Sequence, residues 1–238
     1  VTVPNGAGKL QREALTAEQQ QMVTDTEHRA QLAAMLMMYS GLRRGEATAL
    51  TWADVDLKAG TIRVNKAVEY VSGQPRVKTT KTEAGIRTVN VPQALVTYLT
   101  GHKDENCLYV LHTKAGAMYS AQAWRTLWSS YMTDLNVKYG YHDEVNKYAN
   151  RKKENGEERG TLTMRIKTFT PHQLRHTFCT LLYLSGVDVM TARDQMGHSN
   201  IQTTMSIYTH LDKQYKRNSM QKLDEYLTPC ASHVQVSK

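Results

Sequence analysis

The sequence predicts an α+β domain that is mainly α-helical and carries a small antiparallel β-sheet. Three observations lead there. Helix-start and helix-stop residues punctuate the chain: Thr16 with Gln19, then Gly41, then Thr170 with Pro171, then Gly186. Three short alternating or β-branched runs, TIRVN, AVEYV and IRTVNV, lie close together, with Gly60, Gly73 and Gly85 at their turns. Hydrophobic residues make up 40% of the 238, enough for a packed core.

The elements follow in order. Residues 1–15 are polar, bear Gly and Pro, and read as a linker. Thr16 and Gln19 form a capping box for a first helix, and HRAQLAAMLMMYS is a second, ended by Gly41. A short helix around GEATAL leads into a loop, TWADVD. The three β runs then form one sheet. PQALVTYL is a helix opened by proline, CLYVL a further short strand, and SAQAWRTLWSSYM an amphipathic helix. Residues 134–168 stand out as a variable insert whose charged RKKENGEERG reads as a solvated loop. The last third is helical: HQLRHTFCTLLYLS, VDVMTARDQM, SNIQTTMSIY and DKQYKRNSMQKLDEYL, then a polar tail over 228–238.

Lys and Arg outnumber Asp and Glu by 30 to 22, a formal charge of +8. That surplus suits a polyanionic partner, although a merely basic surface would look the same. The three cysteines, at 107, 179 and 230, include no CxxC pair, and their odd number argues against a disulfide framework and for a reducing, cytoplasmic setting. No apolar run approaches the roughly 18 residues of a membrane span. The first residues lack the apolar core of a signal peptide. The chain starts without Met, so it reads as a fragment.

Several side chains have chemical potential. His172 and Arg175 are three apart on a predicted helix and share a face. His176 lies one turn beyond His172, and H-x-x-x-H is also zinc-ligand spacing. The interior residues Gln, Leu and Arg supply no glutamate, and an arginine beside a divalent cation is unfavourable, so His176 reads as a core or supporting histidine. Arg43 and Arg44 follow the helix-ending Gly41; a guanidinium grips phosphate oxygens bidentately, which lysine cannot do. Arg44 reads as a surface ion pair. Lys78 and Lys81 fall in the turn-like RVKTTKTEAGIRT, where most lysines are simply solvated. Asp54 and Asp56 read as support for the fold around the first arginine. Tyr208 shares a side with Ile201 and Met205, so periodicity alone leaves it open whether this tyrosine packs or reacts.

Taken together, the segments resemble a known family. GLRRGEATALTWADVD is similar to the first arginine box of the tyrosine recombinases, the phage-type integrases. HQLRH is similar to their H-x-x-R box, MGHSNIQTTMSIYTH to their closing tyrosine segment, and KTEAGIRT to their β-hairpin lysine segment. The resemblance spans residues 16 to about 227, and it is nearest to integrases of conjugative transposons and related phages. It implies a recombinase-like catalytic domain over 16–227, joined by the 1–15 linker to a core-binding domain absent from this sequence. It implies Tyr208 as nucleophile, Arg43 and Arg175 on the phosphate, His172 as base, His198 as a further hydrogen-bond donor, and Lys81, or alternatively Lys78, as the acid for the leaving oxygen. Cleavage through a 3′-phosphotyrosyl link needs neither cofactor nor metal. The implied partners are double-stranded DNA at attachment sites, further copies in a tetramer, and DNA-bending accessory proteins, with no membrane, in the nucleoid of a bacterial cytoplasm. Three other readings compete: a type IB topoisomerase-like enzyme, a catalytically silent DNA-binding module, and a zinc-dependent hydrolase.

Overall fold

The computed structural model describes residues 13–79, 86–144 and 162–213. Helix α1 (Ala17–Asp25) starts at the expected capping box, where the Gln19 amide donates to Thr16 Oγ1 at 3.2 Å and the Thr16 amide to Gln19 Oε1 at 3.1 Å. Helix α2 (Gln31–Ser40) is apolar on nearly every side, with Leu36, Met37 and Met38 fully buried. A helix hydrophobic all round belongs in the centre, and α2 packs against α1, the short α3 (Arg44–Ala49), α4 (Gln93–Gly101) and α6 (Pro171–Leu184). With Leu95, Leu99, Tyr131, Leu135 and Leu174 it forms the main core. Each fully buried side chain of this size contributes about 1.5–3 kcal/mol.

Among the described residues the strands form two sheets, not the single one expected. Strand β2 (Thr61–Val64) lies between β1 (Val55–Asp56) and β5 (Arg87–Asn90), all antiparallel, with Ile62 opposite Val89. Strand β3 (Lys66–Val71) pairs instead with β4 (Gln74–Thr79) in a separate hairpin. The reason is local. Ser72 and Gly73 both have positive φ, 48° and 80°, the conformation of a two-residue turn that folds the chain straight back on itself. Strand β4 gave no signal in the sequence because it is charged, mostly exposed and holds Pro75, which an edge strand tolerates.

Smaller corrections follow the same pattern. TWADVD is not a plain loop: Trp52–Asp54 form a 3₁₀ turn and Val55–Asp56 are β1. CLYVL is not a strand; Tyr109 makes an isolated bridge to Thr51, flanked by Trp52 N–H to Leu108 O (3.1 Å) and Val110 N–H to Leu50 O (2.9 Å). Helix α5 (Ala121–Leu135) runs on through a π-helical turn, Asn136–Gly140. There the fully buried Asn136 side chain receives the Arg165 and Ile166 amides at 2.8 and 3.3 Å and donates to Thr163 O at 2.9 Å. Both ends of the 134–168 stretch are thereby packed; RKKENGEERG lies outside the described residues, as do residues 1–12, 80–85 and 214–238.

Helix α6 starts as expected, with Thr170 as N-cap and Pro171 in the first position. Helix α7 (Val189–Met196) is capped by Asp188, and Gly197 ends it at φ 60°. A further helix, α8, covers 201–213 of the described residues. Its inward face is turned from the one expected: Thr204 is fully buried while Met205 is 41% exposed. Thr204 faces inward to meet His198, whose Nδ1 lies 2.9 Å from Thr204 Oγ1. Among the described residues no helix is long and apolar enough to cross a membrane.

Candidate active site

Three arginines converge on the C-terminal end of α7. The last carbonyls of a helix have no partner within it and sit at the negative end of its dipole. Here each of three consecutive carbonyls accepts from one guanidinium. Arg87 Nε donates to Gln195 O at 3.1 Å, Arg175 Nη2 donates to Met196 O, and Arg43 Nη2 donates to Gly197 O at 2.9 Å. Arg175 also donates from Nη1 to Gly41 O, at the end of α2. Gly41 has φ 64°, and a Cβ there would stand 2.4 Å from Phe178 Cδ1, so only glycine lets α2 end against α6 at this point.

Glu46 organises the same cluster. It accepts from the Arg43 amide and from Arg43 Nη1, both at 2.8 Å, and from both terminal nitrogens of Arg87, at 3.2 and 2.9 Å. Burial pushes this carboxyl up, but the hydrogen bonds and charges of Arg87 and Arg43 outweigh that and hold it at about 2. Glu46 and Arg87 carry no assigned role in the sequence reading. Both were detectable: Glu46 is three residues from Arg43 on a helix, and Arg87 shares the inward side of β5 with Val89, where a charge requires a partner.

Arg43 keeps 47% of its side chain exposed, while Arg175 is 3% exposed. Burial first, then the Arg43 guanidinium, lowers Arg175 to about 9, so it stays charged at neutral pH. His198, immediately after the α7 cap, is lowered to about 4 by burial and by the charges of Arg175, Arg43 and Arg87. It is therefore neutral at pH 7. His172 is exposed in the first turn of α6, and a proton there would disfavour one on His198. His176 is half-buried, and burial lowers its proton affinity, in keeping with a supporting place.

Among the described residues Tyr208 makes no hydrogen bond to the arginines. Its ring packs on the small cluster of Phe178, Cys179 and Met196, and meets Tyr183 edge-on at 5.0 Å. Its hydroxyl donates to Val187 O at 3.0 Å. Burial, with Cys179, Asp188 and Tyr183, raises the phenol to about 12. Lys81 lies outside the described residues. Lys78 stands on β4, not in a turn, paired with Glu69 at 3.0 Å across the hairpin. Arg44 lies 5.4 Å over the Tyr70 ring, where the sequence suggested a carboxylate partner. Asp54 binds Lys66 and the Thr51 amide, and Asp56 accepts from the Lys58 and Ala59 amides, so both brace the fold.

A sequence model described as the phage integrase family matches residues 11–215. The chain belongs to that family. It is 29% identical over 210 residues to a XerC-like tyrosine recombinase of Caldanaerobacter subterraneus, covering 83% of this chain and 50% of that one. It is 26% identical to the ICEBs1 integrase of Bacillus subtilis, covering 79% of this chain and 46% of the relative. The chain thus spans about half the length of these curated relatives. Among solved structures, the Tn1549 transposon integrase in complex with circular intermediate DNA matches at 21% identity and a TM-score of 0.63, over 91% of this chain and 68% of that one. XerA recombinase matches at a TM-score of 0.59, with 21% identity over 91% of this chain and 67% of that one. The chain thus shares the fold of these two structures.

Proposed function

We propose that residues 16–227 form the catalytic domain of a site-specific DNA recombinase, one that integrates and excises a mobile element such as a conjugative transposon or phage. The observation that carries the reading is the meeting of Arg43, Arg175 and neutral His198 at the end of α7. Two guanidinium groups beside a neutral imidazole suit one phosphodiester. They cancel charge that builds on the phosphorus in the transition state, the electrostatic term that usually dominates.

The steps balance without an outside energy source. Tyr208 Oη attacks the phosphorus and gives its proton to His172. The P–O5′ bond breaks, and the departing 5′ oxygen takes a proton from Lys81. A 3′-phosphotyrosyl link and a free 5′-hydroxyl result. A 5′-hydroxyl of a second strand then reverses the sequence and rejoins new partners. No step uses ATP or a metal ion.

For the first step Tyr208 leaves the Val187 carbonyl and swings to the arginines. The phenol is hard to ionise where it now sits; beside Arg43 and Arg175 the positive field favours the phenolate. Tyr208 thus packs at rest and reacts after displacement. In this reading double-stranded DNA is the substrate, a tetramer of copies performs the exchange, and accessory proteins bend the DNA.

The test uses a nicked duplex taken from the element's own junction, followed by a denaturing gel. The parent chain forms a covalent protein–DNA band, and mass spectrometry places the nucleotide on Tyr208. Tyr208→Phe abolishes the band while DNA affinity stays within about twofold, since one hydroxyl is lost. An adduct on Tyr183 or on a serine overturns the assignment. Strand exchange between two duplexes, rather than relaxation of supercoils alone, separates a recombinase from a topoisomerase.

A further inference from the structure

The connection between α4 and α5 holds a second concentration of donor atoms, separate from the arginine cluster. Asp104, Cys107 and His112 each offer one ligand atom, and these atoms all lie within 4.8 Å of one another, the only such trio of His, Cys, Asp or Glu among the described residues. All three side chains are half-buried. His112 Nε2 lies 3.7 Å from Asp104 Oδ2, and its Nδ1 lies 3.6 Å from Cys107 Sγ. A tetrahedral zinc ion with bonds of about 2.0–2.3 Å puts neighbouring ligand atoms about 3.3–3.8 Å apart. The 3.7 Å between His112 Nε2 and Asp104 Oδ2 falls in that range, and the three ligand atoms lie within 4.8 Å of one another.

The surroundings orient the donors. His112 Nδ1 also stands 3.0 Å from Thr113 O, so the proton belongs on Nδ1 and the lone pair on Nε2, the nitrogen nearer Asp104. Ligating imidazoles are usually held this way, through the other ring nitrogen. A turn in which the Cys107 amide donates to Asp104 O at 3.2 Å brings the carboxylate and the thiol to the same side. A cavity of about 530 Å³, lined in part by His102 and His112, lies beside the histidine.

We propose that Asp104, Cys107 and His112 bind one thiophilic divalent cation, zinc by the chemistry of the set, with water as the fourth ligand. A thiolate with an imidazole selects against magnesium and calcium, which prefer all-oxygen shells. On binding, a sulfur–metal bond forms as the Cys107 thiol releases its proton to solvent, and nothing is oxidised or reduced. The ion clips a connection whose Leu108 and Val110 are hydrogen-bonded to residues 50–52, immediately after the helix that carries Glu46. The site is separate from the arginine cluster.

The test strips the full 238-residue chain with a chelator and titrates it with cobalt(II), then zinc. Cobalt should give a thiolate-to-metal charge-transfer band in the near ultraviolet, with d–d absorption of tetrahedral strength, saturating at one equivalent and abolished by zinc. Cys107→Ser should lose the band, Asp104→Asn should weaken binding by about tenfold or more, and Cys179→Ser should keep it. Zinc at a hundredfold excess over its Kd should raise the parent's Tm by about 5–10 °C and leave Cys107→Ser unmoved. If Cys107→Ser does not fold, His112→Gln takes its place. The proposal is overturned if the parent shows no charge-transfer band, if the band survives loss of Cys107 or His112, or if zinc raises parent and variant equally.

Discussion

The terminal nitrogens of Arg175 hold the Gly41 and Met196 carbonyls, and under the proposed function its remaining N–H groups meet the phosphate. Arg175→Lys keeps the charge and loses the fork. We expect DNA affinity to stay within a few fold while the cleavage rate falls by about 10²–10³, the cost of removing one transition-state donor. Single-turnover cleavage beside a binding titration checks the split; a variant that cleaves like the parent rules out the clamp. His198 makes a second prediction at this scale. Its folded value, about 4, lies below the ordinary 6.5. Between those values the unfolded chain takes up a proton that the native chain refuses, so this residue's contribution, complete above about pH 6.5, is lost as pH falls towards 4. Denaturant midpoints across that range should fall for the parent and fall less for His198→Asn.

At the scale of elements, the site depends on how helices end. Helix α2 stops at Gly41 and α7 at Gly197, both left-handed, and each stop presents carbonyls to arginine side chains. Gly41→Ala puts a Cβ into a residue at φ 64° and against Phe178. The left-handed conformation alone costs about 1–2 kcal/mol, and the overlap adds to it. We expect a loss of about 2–4 kcal/mol in chemical denaturation, with cleavage impaired even where the variant is folded, because the Gly41 carbonyl no longer seats Arg175. Unchanged stability would show that the α2–α6 junction is looser than described. Strand β5 shows the same dependence: one inward-facing position delivers Arg87 to Glu46 and to Gln195 together.

At the scale of the whole molecule, charge and topology meet. The surplus of +8 gathers in part as three arginines on one helix end, where the Glu46 carboxylate pairs with Arg43 and Arg87. Affinity for DNA should therefore come chiefly from phosphates. Log Kd plotted against log salt should be steep, with a slope of about 0.9 for each phosphate neutralised. Arg43→Ala should reduce that slope by about one and weaken binding to any sequence alike. A salt-independent Kd would overturn the phosphate reading. The groups themselves are far apart in the chain: Arg175 and Gly41 are separated by 134 positions, Arg43 and Gly197 by 154.

Local rules decided much of this protein from the sequence alone. Thr16, Thr170 and Pro171 start their helices where capping chemistry requires, and Gly41 stops α2, because these effects act within one turn of chain. Arg43, Arg175 and His198 could be nominated from their segments, and the structure brings those three together. Only the tertiary fold decided the rest. Strand β3 pairs with β4 and not with β2, because a tight turn at Ser72–Gly73 supplies a nearer partner. Glu46 and Arg87 became a buried ion pair through contact across 41 residues. Thr204, not Met205, faces inward because His198 supplies a hydrogen bond that helical periodicity cannot see. The resting place of Tyr208, on Phe178 and Cys179 with its hydroxyl on Val187, was equally beyond the pattern. Periodicity places a side chain on one face of its own helix, whereas what that face meets depends on how distant helices pack.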